Sequence, residues 1–429
     1  MERFEHYVTV GRRRLRCGYT TGTCAAAATL GAATLLLSGE ALPAARVATP
    51  SGLDVPVELE RYDAGPGWAE CAVRKDAGDD PDVTDGAYVY ARVSRTAAPG
   101  VAVDGGAGVG RVTRAGLDQP VGAAAINRVP RRMIEGQARA AMRAAGYEGG
   151  LSVVVSVPEG VRLAERTFNP RLGIVGGISV LGTSGIVRPM SEEALVASIE
   201  LELRVQRAAG VRHLLVAPGN YGRDFAADGL GLDAAACVQC SNYVGQTIDA
   251  AAQAGFASML VVGSLGKLVK VAAGIMNTHS RVADGRRETL AAHAALQGAS
   301  RGLVGEIMRS VTTDEALPLL EREGILRETM ASVTASLGAQ LRRRAAGALD
   351  VEAVVFSPGW GVLGETEGAP RLVRLLRDAR AAGEDKGAGE KDVRPGDASG
   401  GEAPAAGEKD VRPGAAGGGE GPRGERGEL

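Results

Sequence analysis

The order of apolar runs predicts an α+β layer domain over residues 1–165, an α/β domain with a mainly parallel sheet over 166–375, and a disordered low-complexity tail over 376–429. Three observations carry this. The first third is a series of short strand-like runs separated by turns. Beyond about Arg166 short apolar runs alternate with helical stretches, the rhythm of a parallel sheet wrapped by helices. After residue 375 glycine, proline, alanine and charge take over, and 389–396 recurs as 407–414, a composition that cannot bury enough apolar surface to offset ordering.

The elements follow in order. Cys17-Gly18-Tyr19-Thr20-Thr21-Gly22-Thr23-Cys24 runs into four alanines, which describes a turn feeding a helix. The first N–H groups of a helix have no internal partner and carry partial positive charge, so this end suits either an ordinary threonine cap or an anion. Residues 46–57, broken by Pro50-Ser51-Gly52, predict two strands; 71–73, 87–93 and 151–157 predict three more. Further along, 213–217, 258–262 and 351–356 read as strands, and 191–208, 243–254 and much of 288–346 as helices. Ser191 with Glu192 and Glu193 makes a capped, dipole-matched helix start.

Composition narrows the function. The chain has 429 residues, with 49 lysines and arginines against 51 acids and a formal charge of −2, so no basic excess points to nucleic acid. Aromatics are only 3 % and glycines number 62, which favours close backbone packing and a small-molecule partner over base stacking. No apolar core of signal-peptide length opens the chain and no eighteen or so apolar residues run uninterrupted, so a cytoplasmic protein without a membrane partner is expected. Five cysteines are an odd number and do not describe a disulfide framework. Cys237-Val238-Gln239-Cys240 has the gap of a metal or redox pair but lacks a second pair, so it reads as two small core side chains and no metal site is expected.

In an open parallel sheet, ligands bind beyond the carboxyl ends of the strands. Two glycine loops stand there: Gly219-Asn220-Tyr221-Gly222, and Gly263-Ser264-Leu265-Gly266-Lys267, where a cation beside a helix start suits a carboxylate or phosphate. Residues 169–185 are rich in glycine among β-branched residues, the pattern of a ligand-lining segment. Arg131 and Arg132 are a guanidinium pair suited to carboxylates. Asn277-Thr278-His279-Ser280 follows an apolar helix over 268–276, where His279 serves either as acid or base or as a capping group. The glycines at 105–110 look like a dinucleotide fingerprint, but no helix pattern follows them. There is no G-x-S-x-G elbow, complete Walker motif or histidine cluster. The chemistry therefore belongs to bound molecules.

These blocks occur in one order: Gly18 to Ala26, Gly105 to Thr113, Ala125-Ile126-Asn127 through Ile134, Asn169 to Gly185, Gly219 to Gly222, and Gly266-Lys267 through Ser280. Over roughly residues 10–370 the chain resembles the cobalt-precorrin-5B C(1)-methyltransferase family, the CbiD type, of anaerobic cobalamin biosynthesis. The resemblance implies methyl transfer from S-adenosylmethionine to C-1 of a ring-contracted corrinoid, with cobalt arriving inside the substrate. It departs from the family pattern at Ala107, Arg188 and Ser264, where the family carries an acid, usually an acid, and a histidine, so any proton transfer by those groups must be managed otherwise here. On this basis Gly182, Thr183, Ser184 and Gly185 with Gly219, Asn220, Tyr221 and Gly222 are expected to hold S-adenosylmethionine within a Rossmann-like domain. Thr20, Thr21, Thr23, Arg131, Arg132, Arg171, Lys267 and Lys270 are expected around the carboxylated macrocycle, and Asn277 and His279 in a catalytic role. An NADPH-dependent reductase of the corrinoid pathway and a non-catalytic tetrapyrrole carrier are the alternatives, and homo-oligomerisation is left open.

Overall fold

Alternating apolar residues give the strands at 88–96 and 150–156 one buried face each, and in the computed structural model, which describes residues 4–389, these two and three further strands build a five-stranded sheet. Its strands are β1 (Glu60–Gly65), β2 (Trp68–Arg74), β3 (Tyr88–Thr96), β4 (Gly100–Gly105) and β5 (Gly150–Ser156), in the order β1-β2-β3-β5-β4. Only β5 with β4 is parallel. The predicted strands at 46–57 are a separate antiparallel hairpin, Ala44–Ala48 with Asp54–Glu58. A short hairpin at the amino end, Tyr7–Val10 with Arg13–Arg16, has no fully buried residue and was not expected.

Helix α1 (Thr21–Ser38) lies against β2, β3 and a second helix, α2 (Arg128–Ala144). It is long and apolar enough to cross a membrane by length and composition, but most of it is buried inside the protein. Ala25 to Ala28, Ala32 and Ala33 are fully buried, and their small side chains let α1 sit close to both neighbours. Thr20 caps the helix by accepting from the Thr23 N–H, and Gly39 closes it in the left-handed conformation.

The second sheet has β6 (His213–Ala217), β7 (Cys237–Gln239), β8 (Ser258–Ser264), β9 (Asp350–Ser357) and β10 (Gly361–Glu365), ordered β7-β6-β8-β9-β10. All neighbours are parallel except β9 with β10. Around it run α3 (Glu192–Ala208), α4 (Asn220–Asp228), α5 (Val244–Gln253), α6 (Leu265–Ala272), α7 (Arg286–Leu296), α8 (Arg301–Arg309), α9 (Thr313–Arg322) and α10 (Leu326–Ala345). The protein is thus a mixed α/β structure with an antiparallel-rich sheet and a mainly parallel one.

Two boundaries move. Residues 174–187, placed by sequence with the second domain, pair with elements of the first: Gly177–Ile178 with Gly108–Val109, Ile174–Val175 with Arg111–Val112, and Ile186–Val187 with Gly18–Tyr19. Helix α11 (Ala369–Gly389) runs through 376–389, where the tail was expected. Leu372, Val373, Leu375 and Leu376 pack it into the cluster around Phe356, which itself stacks on Phe225 at 4.1 Å. The disorder expected of 390–429 lies outside the described residues.

Candidate functional site

The order β7-β6-β8-β9 places a topological switch between β6 and β8: the chain leaves β6 toward β7 on one side and leaves β8 toward β9 on the other. In such sheets the diverging connections leave a crevice at the carboxyl ends, which is the usual ligand position. Both predicted loops border it. Gly219 has φ +110°, ψ 177°, a backbone conformation open essentially to glycine alone. The place a Cβ would take at Gly219 faces Lys267 Nζ at 3.5 Å, so an unobstructed backbone and an ammonium face each other.

A polar ring surrounds them. Gln239 Nε2 donates to Asn220 Oδ1 at 2.7 Å, Arg171 reaches Gln239 Oε1 at 3.5 Å, and Lys267 donates to Asn242 Oδ1 at 3.3 Å. Thr278 Oγ1 donates to the same Asn242 oxygen at 3.1 Å, while the Thr278 N–H bonds to the Asn242 carbonyl at 2.9 Å. Burial holds the Lys267 ammonium below the ordinary lysine range, with the nearby Cys240 opposing and the Lys270 charge adding. Tyr221 and Trp360, 76 % and 40 % exposed, follow β6 and β9 at this edge. Gln239 and Asn242 were missed in the sequence because one lies inside and the other just after a cysteine pair that suggested a metal motif. Cys237 and Cys240 are free, buried thiols, both pushed up to about 12 by burial, as small core side chains would be.

Other expected residues lie elsewhere. Thr20, Thr21 and Thr23 are buried, and the carbonyls of 181–185 stand where an anion was expected: Gly22 N–H donates to Leu181 O, Thr20 N–H to Gly185 O, Thr21 Oγ1 to Leu181 O and Thr23 Oγ1 to Gly185 O. The loop Gly182, Thr183, Ser184 and Gly185 therefore caps α1 and touches the 49–51 turn. Gly222 is buried because its missing side chain lets α4 press on the Val262 carbonyl of β8. The glycine segment 169–185 is mostly close packing rather than a ligand wall; a Cβ on Gly177 would lie 2.1 Å from the Gly108 oxygen. The 105–110 loop is filled in the same way, with Val157 O 1.8 Å from a Cβ on Gly108, and it leads into a strand.

Lys270 is engaged inside the fold. Its ammonium is buried and donates to Thr278 O, Ser280 Oγ and Ala283 O at 3.1–3.2 Å, which uses all three of its donors. It ties down the 278–284 loop. Within that loop Asn277 Oδ1 accepts the His279 N–H and His279 Nδ1 accepts the Arg281 N–H, both at 3.0 Å, so both predicted catalytic groups make turn bonds. His279 is exposed. Arg131 donates to Val103 O at 2.5 Å and its Nε is buried without a partner among the described residues, whereas Arg132 lines a separate cavity of about 370 Å³. Of the expected substrate groups, the structure brings together only Arg171 and Lys267.

Known proteins resemble this chain over most of its length. The family described as CbiD matches residues 8–189, and that described as CbiD, C-terminal domain, matches 277–367. A protein of Ruminiclostridium cellulolyticum named cobalt-precorrin-5B C(1)-methyltransferase is 46 % identical over 353 residues, covering 82 % of this chain and 92 % of its own. One of the same name from Alkaliphilus metalliredigens is 42 % identical over 373 residues, covering 87 % and 98 %. Among solved structures, a cobalamin biosynthesis protein (cbiD) from Archaeoglobus fulgidus is 29 % identical, covers 64 % of this chain and 86 % of its own, and has a TM-score of 0.36.

Proposed function

The chain belongs to the CbiD family, and we propose that it transfers a methyl group from S-adenosylmethionine to C-1 of cobalt-precorrin-5B, giving cobalt-precorrin-6A, in the cytoplasm. The observation that carries this is coverage: relatives named for that reaction align over 92 % and 98 % of their own length at 46 % and 42 % identity. Cobalt enters as part of the substrate.

The residues of the crevice fit the donor. S-adenosylmethionine supplies an electrophilic methyl on sulfur, and the nucleophile is a ring carbon of the substrate, so the protein needs to align the two and exclude water rather than attack. Lys267, with one side-chain bond to Asn242 and a depressed pKa from burial, would meet the donor's carboxylate. Gly219 gives backbone access, Asn220, Gln239 and Asn242 offer amide groups, and Tyr221 a flat exposed ring. Asn277 and His279 border the crevice through the turn that holds Thr278 on Asn242. Their contribution is to position this wall.

Incubation of the purified chain with S-adenosylmethionine and cobalt-precorrin-5B is expected to give a corrinoid heavier by one methylene, with S-adenosylhomocysteine as co-product. No mass gain would sink the assignment. In calorimetry, Lys267→Ala is expected to weaken S-adenosylmethionine binding about 10-fold or more, the loss of one charge-assisted contact, with Lys267→Arg partly restoring it. Wild-type affinity is expected to fall as pH rises, with an inflection below the ordinary lysine value, because only the ammonium binds the carboxylate. Binding of NADPH instead would favour the reductase alternative.

A further inference from the structure

The substrate's several carboxylates need cations, yet Lys270 is spent within the fold and Arg131 is tied to the Val103 carbonyl beside α2. A cleft of about 840 Å³ against the first sheet offers others. Its walls come from three places far apart in sequence: the amino-terminal hairpin, the 44–58 hairpin and the end of β2 with the turn that follows. Its volume sits near the top of the roughly 300–1,000 Å³ span of small-molecule sites, large for a nucleoside-sized donor and suited to a macrocycle. Arg16, Arg46, Arg74 and Lys75 line it. Arg16 is fixed by a two-point bond to Asp76, both contacts at 2.7 Å, and Lys75 is buried on Asp82. Arg46 and Arg74 are exposed at the cleft.

Apart from the exposed Glu58, the acids in the same walls are already bonded inward. Asp76 accepts from Arg16 and from the Gly78 N–H, Asp85 from the Ala77 N–H, and Glu60 from the Tyr88 hydroxyl. A stretch of chain leads from the cleft toward the crevice. Tyr19, on its wall, pairs with Ile186, and six residues later Glu192 is close enough to Tyr243, next to Asn242, to raise that phenol's pKa alongside burial. Six residues span at most about 22 Å of chain.

Resting on the methyl-transfer reading, we infer that this cleft receives the corrinoid macrocycle and that Arg74 holds a peripheral carboxylate, with Arg16, Arg46 and Lys75 supplying the surrounding positive charge. The ligand class is a polycarboxylate tetrapyrrole. The test is visible-absorbance titration of the full chain with a heptacarboxylate corrinoid, dicyanocobyrinic acid, and with its neutral heptamethyl ester, alongside calorimetry with S-adenosylmethionine. Wild type is expected to bind the acid at least 10-fold more tightly than the ester. Arg74→Glu is expected to lose 10-fold or more for the acid, and Arg46→Ala with Arg74→Ala at least as much, with the S-adenosylmethionine affinity and the melting temperature unchanged. Wild-type affinity for the acid in the Arg74→Glu chain would overturn the inference, as would equal binding of acid and ester or no corrinoid binding beside normal donor binding. Failure to bind both corrinoid and donor would overturn the methyl-transfer reading itself.

Discussion

Lys267 and Lys270 are three residues apart on one short helix, and their environments give them opposite work. The Lys267 ammonium faces the Gly219 backbone with one side-chain partner; Lys270 is enclosed by two carbonyls and a hydroxyl. Removing a buried charge's partner set leaves the remaining polar groups unsatisfied, so Lys270→Ala is expected to cost about 3 kcal/mol in denaturant unfolding and to speed amide exchange over 278–284. Unchanged exchange there would show that the loop does not depend on it. Glu202 tests a different balance. It is buried on α3, and desolvation raises its carboxyl pKa, with only the Arg171 charge pulling it down. Above the unfolded value the folded chain then holds more protons than the unfolded one, so this group's contribution falls as pH rises through the folded value. Glu202→Gln is therefore expected to raise the melting temperature at pH 8 relative to wild type, with the gain vanishing near pH 4; a constant gain across that range would exclude the linkage.

At the scale of elements, the loop 181–185 changes the meaning of the alanine helix. Its carbonyls take the N–H and hydroxyl donors at the start of α1, so the helix end is completed by the chain itself rather than by an anion. Gly182 shows how tight this is: it sits at φ +139°, and a Cβ there would lie 2.3 Å from Thr20 Oγ1. Gly182→Val is expected to destabilise the fold by about 3 kcal/mol, from backbone strain plus overpacking, while S-adenosylmethionine affinity measured on the folded fraction stays at the wild-type value. A loss of donor affinity without loss of stability would return this loop to the cofactor site. Gly219 differs because its open side faces the crevice and not another wall. Both glycines looked alike in the sequence; what surrounds each one separates packing from access.

At the scale of the whole molecule, most strands and helices around both sheets were legible because one-sided burial imposes period two on a strand and 3.6 on a helix. The parallel sheet followed from alternation, and with it the loops after 217 and 264. The amino-terminal hairpin was illegible, since Tyr7–Val10 and Arg13–Arg16 are four residues each and bury little, too short an alternation to stand out. The pairing of 174–187 with the amino-terminal half was illegible because its strands are two residues long and leave no periodic signal.

By itself the sequence determined the mixed α/β class, the crevice loops and the family, since these rest on local periodicity and on ordered blocks of residues. Only the tertiary structure decided which cations and hydroxyls remain available. Lys270, Thr20, Thr21 and Thr23 became fixtures of the fold and Arg16 is held on Asp76, while Arg74 is exposed at the cleft that it shares with Arg16. The physical reason is that a side chain's chemistry depends on what satisfies its hydrogen bonds and charge, and those partners arrive from residues up to some 160 positions away, as Leu181 does for Thr21.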